Sequence, residues 1–169
     1  QPEDKGSTFY PMCMSAIIAG LVPPFSKFFF AVLRQYQLHA LHLHPNSVLL
    51  LSIFAYYCEA HVGVMPSVAL PRHFFSLRLT GANISACAGF VAYSNANVIS
   101  KAGKRADGFR SKWVMVDARC NNPLLELPTE QPEAVDAWSR AKLDDRRAKL
   151  VLEKMNTDLR TGNLRATKL

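Results

Sequence analysis

The chain has 169 residues, 49% hydrophobic and 20% charged, which is enough to bury one sizeable core and excludes wholesale disorder. Its formal charge is +7 and its pI about 9.4, which suits acidic partners such as nucleic acid but also describes many ordinary surfaces. Residues 1–60 balance at three basic against three acidic, whereas 61–132 carry eight against four and 133–169 nine against six, so the basic character belongs to the last two thirds.

The opening "QPEDKGSTFY" is polar and of mixed charge, unlike a secretory signal, and the chain is expected to stay inside the cell, in nucleus or cytoplasm. From there "TFYPMCMSAIIAG", 8–20, reads as a short apolar helix ended by Gly20. Pro23 and Pro24 set a turn. The next helix, "PFSKFFFAVLRQYQL", places Phe25, Phe28, Phe29, Val32, Leu33 and Tyr36 on one stripe, with Lys27, Arg34 and Gln35 opposite.

A break follows at "HLHPNS". Pro45 biases His44 out of helical geometry, and Asn46 or Ser47 can cap the helix that starts there. That helix, about 46–62, is apolar almost all round and is expected at the centre of the fold, with Gly63 to end it. Its apolar run 48–58 numbers eleven residues where about twenty are needed to span a bilayer, and Pro23, Pro24 and Lys27 interrupt the earlier stretch, so no membrane partner is expected. A further helix is predicted near 67–77, where "LPRHFFSLRL" alternates aromatic and basic residues.

From 81 to 119 glycines punctuate the chain, and "CAGFVAYS" and "KWVMVDA" read as strands of a small antiparallel hairpin, about 84–119. Between them "SKAGKRADGFRSK" carries five basic residues against Asp107. Pro123, Pro128 and Pro132 mark a linker over 123–132. Beyond it Ala134, Trp138, Ala141, Ala148, Leu152, Met155 and Leu159 predict a long amphipathic helix over 131–160, which could pack on the domain or pair with a second copy. The expected architecture is mainly α (α+β): a bundle of apolar helices with a small antiparallel β-hairpin over 1–122, then the linker, then a C-terminal helix and basic tail over 133–169.

Chemistry is harder to find. His39, His42 and His44 lie within six positions, and Cys58, Glu59 and His61 could add ligands from the next helix. At 1.5 Å per residue, however, the second group sits roughly 20 Å from the turn, so no metal or other cofactor is expected and the histidines read as a helix rim. Cys13, Cys58, Cys87 and Cys120 form no CxxC pair and are expected as free, mostly buried thiols. Glu59 is the only acidic residue between Asp4 and Asp107, so a carboxylate triad for two-metal chemistry cannot be assembled there; a helix cap, or an ion pair with Arg72 or Arg78, is the structural alternative. No catalytic residue is assigned. For nucleic acid, Arg72, Arg78, Lys101, Lys104, Arg105, Arg110 and Lys112 stand near Phe74, Phe75, Phe109 and Trp113, the mixture used for phosphate contact and base stacking on DNA or RNA, although Phe74 and Phe75 at helical spacing are more often core.

The ordered series of short motifs carries a resemblance. G-x-x-x-P-F-S-x-F-F runs from Gly20 to Phe29, L-x-x-Y from Leu33 to Tyr36, H-L-x-P-N-S from His42 to Ser47, C-E-x-x-x-G from Cys58 to Gly63, and P-S-x-x-L-x-R-H-F-F-x-L-R from Pro66 to Arg78. Together they resemble the plant gypsy-type transposon (transposase-like) domain family of cereal genomes, whose later aromatic strands "GFVAYSN" and "SKWVMVDA" also resemble. The likeness implies a transposable-element origin, with the present chain expected as a piece of a larger element protein. It also implies that His42, Pro45, Asn46 and Ser47 form a structural turn. It supplies no catalytic residues. The reading is a noncatalytic module for assembly or nucleic-acid association; the alternatives are a metal-dependent nuclease or transferase using Glu59 and the histidines, and an element remnant without activity.

Overall fold

The computed structural model describes residues 8–22, 25–79, 87–93, 111–118, 128–140, 142–144 and 146–161. They form α+β architecture with two small antiparallel sheets. Strand β1, Thr8–Cys13, passes directly into the short helix α1, Met14–Ile18, and pairs with β4, Trp113–Ala118. Here the helix expected over 8–20 is corrected: its first half is extended. Side chains alternate, with Phe9 exposed and Tyr10 and Met12 buried, and Pro11 would have broken a helix but is tolerated on the edge of a two-stranded sheet. Gly20 closes α1 at φ 103, as the spacing predicts.

Helix α2, Lys27–Tyr36, begins where Ser26 Oγ accepts the Phe29 N–H at 3.1 Å and ends at Gln37 in the left-handed region, φ 52. Phe28, Phe29, Val32, Leu33 and Tyr36 are buried along one stripe. Helix α3, Pro45–Tyr56, buries Val48, Leu51 and Phe54 in the same core, where Phe54 meets Phe28 of α2 with ring centroids 5.7 Å apart. The helix then widens into a π turn, Tyr57–Val62, that ends at Gly63 with φ 73. Each such large buried side chain contributes about 1.5–3 kcal/mol relative to exposure.

Helix α4, Ala69–Phe74, gives way without a loop to β2, Phe75–Leu79, where a helix to 77 was expected. β2 pairs antiparallel with β3, Ala88–Ala92, in the register Leu77↔Phe90. The single hairpin expected over about 84–119 is therefore corrected: its two strands belong to different sheets. Both edges of β3 are occupied, by β2 on one side and on the other by residues 43–47, where His44 N–H donates to the Ala88 carbonyl at 2.9 Å.

The long helix expected over 131–160 is corrected as well. Residues 131–135 are not helical, Asp136–Trp138 forms a single 3-10 turn, and helix α5 spans Arg146–Thr161. Tertiary docking overrides the helical spacing at Trp138, whose buried indole donates Nε1–H to the Tyr36 carbonyl at the end of α2, 2.8 Å away. Further on, Ala148, Val151 and Met155 are buried, and α5 packs on α4 and the π turn.

Candidate functional site

In the histidine-rich stretch each ring holds backbone. Ala40–His42 is one 3-10 turn capped from both sides: His39 Nδ1 accepts the Leu41 N–H at 3.2 Å, and His42 Nδ1 accepts the His39 N–H at 3.2 Å. His44 Nδ1 accepts the Asn46 N–H at 3.1 Å and so caps α3, a role the sequence suggests for Asn46 or Ser47. An Nδ1 that accepts carries no proton, so all three neutral rings are protonated on Nε2. That tautomer lets His42 Nε2–H donate to the Glu130 carbonyl at 3.2 Å. Burial, with His39 nearby, holds His42 below the usual histidine value, against the opposing bond to Glu130. Both its nitrogens are engaged, and neither is left for a metal.

Ser47 faces the sheet instead of the helix start. Buried, it accepts the Phe90 N–H of β3 at 2.8 Å. Pro45 occupies the first turn of α3, where its missing N–H is not needed, and Asn46 is exposed. His42, Pro45, Asn46 and Ser47 thus lie where α2, α3, β3 and the segment around Glu130 meet.

On the π turn, Cys58 is fully buried, and burial, then the nearby Glu59, pushes its thiol up to about 12, the opposite of an activated nucleophile. Glu59 is exposed and pairs with neither Arg72 nor Arg78, against the expected ion pair. His61 stacks on Tyr57, centroids 5.6 Å apart and 22° between planes. Tyr57 donates its hydroxyl to Asp158 Oδ2 at 2.6 Å, and Lys154 Nζ meets Asp158 Oδ1 at 2.8 Å. Hydrogen bonds from Lys154 and then Tyr57 hold the Asp158 carboxyl below its ordinary value, while burial and then Asp158 raise the Tyr57 hydroxyl. This link between residues 101 positions apart has no local signal in the sequence. Among the described residues no three His, Cys, Asp or Glu side chains could together hold a metal ion.

The cations are dispersed. Arg78 is exposed on β2 and Lys112 is exposed beside β4, next to the exposed Trp113. Arg72 is half-buried, its Nε buried with no hydrogen-bond partner among the described residues. Phe74 and Phe75 are core side chains, the more common role for adjacent aromatics in such a segment, and are not available for base stacking. Lys101, Lys104, Arg105 and Arg110 lie outside the described residues, as does Phe109. A second basic group, which the sequence reading passed over, stands at the start of α5: Arg146, Arg147 and Lys149 are exposed, and Arg140 lies over the Tyr93 ring at 5.1 Å. The absence of any acidic residue in that first helical turn is the signal that could have found it.

Residues 12–79 match the family described as "Putative gypsy type transposon". The match covers less than half of the chain but takes in α1 to α4 and the whole histidine turn. No curated protein and no solved structure matches the chain. No helix among the described residues is long and apolar enough to cross a membrane.

Proposed function

We propose that the protein is a noncatalytic module of a plant protein derived from a transposable element, working inside the cell, in nucleus or cytoplasm, in assembly or nucleic-acid association. The similarity of residues 12–79 to a transposon family supports the setting. The observation that carries the noncatalytic part is the use of the imidazoles: within the matching segment His39, His42 and His44 each accept a backbone N–H, and Cys58 is sealed in the core. Association with DNA or RNA would fall to Arg78, Lys101, Lys104, Arg105, Arg110 and Lys112, with Arg146, Arg147 and Lys149 of α5 as a second contact. Phosphate neutralisation needs accessible cations, and Arg78, Lys112, Arg146 and Lys149 are exposed. Arg72 contributes from a half-buried position.

A metal-dependent nuclease is the competing reading, and the π turn is the observation in its favour, since such turns recur at functional sites and this one exposes Glu59 and His61. Incubation of labelled duplex DNA with the whole chain and magnesium or manganese separates the two. Retarded but uncut DNA is the expected result. Cleavage lost in Glu59→Ala, with the circular-dichroism spectrum unchanged, would establish the nuclease. DNA neither bound nor cut would leave an element remnant without activity.

A further inference from the structure

Helix α3 is apolar all round, yet only one side of it is covered. Val48, Leu51 and Phe54 point into the core, while Leu49, Ile53 and Tyr56 are 43%, 38% and 65% exposed. Positions 49, 53 and 56 are spaced four and three apart and form one outward stripe. The end of α1 lies along its flank: Ser52 Oγ sits 3.5 Å from the Ala19 carbonyl oxygen, and a Cβ at Gly20 would come within 3.1 Å of the same hydroxyl. Ile18 and Val22, 77% and 52% exposed, extend the apolar face from there.

We infer that this α1–α3 face joins two copies of the chain across a two-fold axis. Residues 8–22 and 45–58 contain no Asp, Glu, Lys or Arg, although the chain carries +7 overall. Two copies meeting through this face bring no formal charges together, so the contact carries no like-charge repulsion, and an isologous contact requires a surface compatible with itself. Area points the same way. The five exposed side chains present on the order of 500 Å² per copy, and about 1,000 Å² buried in total is the low end for a specific interface, so the dimer is reversible. The alternative seam, the apolar stripe of α5, is closed: Ala148, Val151 and Met155 are 0%, 2% and 3% exposed because they pack on the chain's own α4 and π turn. None of the residues of this face is among the cations assigned to nucleic acid.

Sedimentation velocity of the whole chain over a concentration series tests the inference. The expected result is a shift from monomer to dimer with rising concentration, weakened at least about tenfold in Ile53→Glu and in Tyr56→Glu, whose thermal melts stay near that of the wild type. Leu150→Glu, which places the same charge on an exposed apolar position of α5, leaves the dimer intact. A wild-type chain that is monomeric at every concentration overturns the inference. So does a dimer that survives Ile53→Glu and Tyr56→Glu but is lost in Leu150→Glu, and so does a monomer that floats with zwitterionic phospholipid vesicles through the α3 face.

Discussion

An imidazole that accepts a backbone N–H through Nδ1 must release that bond when it is protonated, because the nitrogen becomes a donor. Three such bonds, at His39, His42 and His44, hold one turn. His42 faces the His39 ring and the Glu130 carbonyl, and the fold holds it below the ordinary value of 6.5. The folded state therefore favours the neutral ring. Its stability contribution is fully present above the unfolded value and is lost as pH falls through the lower folded value. Asp158, held below 3.8, does not titrate in that window. Denaturant midpoints should thus fall between about pH 7.5 and pH 5, and His42→Ala, costing about 1–2 kcal/mol at the higher pH, should shrink the difference. An undiminished pH difference in the variant would contradict the capping role. Ser47→Ala leaves the Phe90 N–H unpaired and should cost about 1–3 kcal/mol by the same measurement. The position of this turn was legible from Pro45 and the surrounding polar run. The direction of the Ser47 hydroxyl was not, since it depends on β3, 43 positions away, and neither was the bond of His42 to the Glu130 carbonyl, 88 positions away.

Among the elements, α2 was readable because its own spacing determines which face is buried, whereas α3, apolar all round, was readable as a helix but not in its rotation. Leu51, 2% exposed, should cost about 2–5 kcal/mol as Leu51→Ala, and Phe29→Ala a similar amount, whereas Leu49→Ala on the outer stripe should cost less than about 1 kcal/mol in the monomer. Equal losses at Leu49 and Leu51 in chemical denaturation would place the helix in the wrong rotation. Strands were readable as strands but not as pairs. "GFVAYS" and "KWVMVDA" carry the composition of β structure, yet their partners, Phe75–Leu79 and Thr8–Cys13, lie in stretches whose apolar content reads equally well as helix. The C-terminal helix begins later than its apolar spacing suggests because Trp138 satisfies its N–H on α2. Its attachment is testable too: Tyr57→Phe removes the hydroxyl that holds Asp158, so amides of α5 should exchange faster with solvent while those of α2 stay unchanged. Equal rates in α5 would show that its apolar face alone holds it.

For the molecule as a whole, charge and apolar surface are separated. The segments that build the α1–α3 face carry no charged side chains, and the basic excess lies in the later two thirds. That division along the sequence is what the two proposals, contact with a polyanion through the cations and self-association through the α1–α3 face, have in common. The measurement that bears most directly on this account is fluorescence anisotropy of labelled duplex and single-stranded DNA and RNA at about 50 and 200 mM salt, comparing the whole chain with a variant carrying alanine at Arg78, Lys101, Lys104, Arg105, Arg110 and Lys112. The account predicts binding at low salt that weakens at least about tenfold at high salt, and a shallower salt dependence in the variant. No binding at low salt, or binding indifferent to both salt and the substitutions, would contradict it.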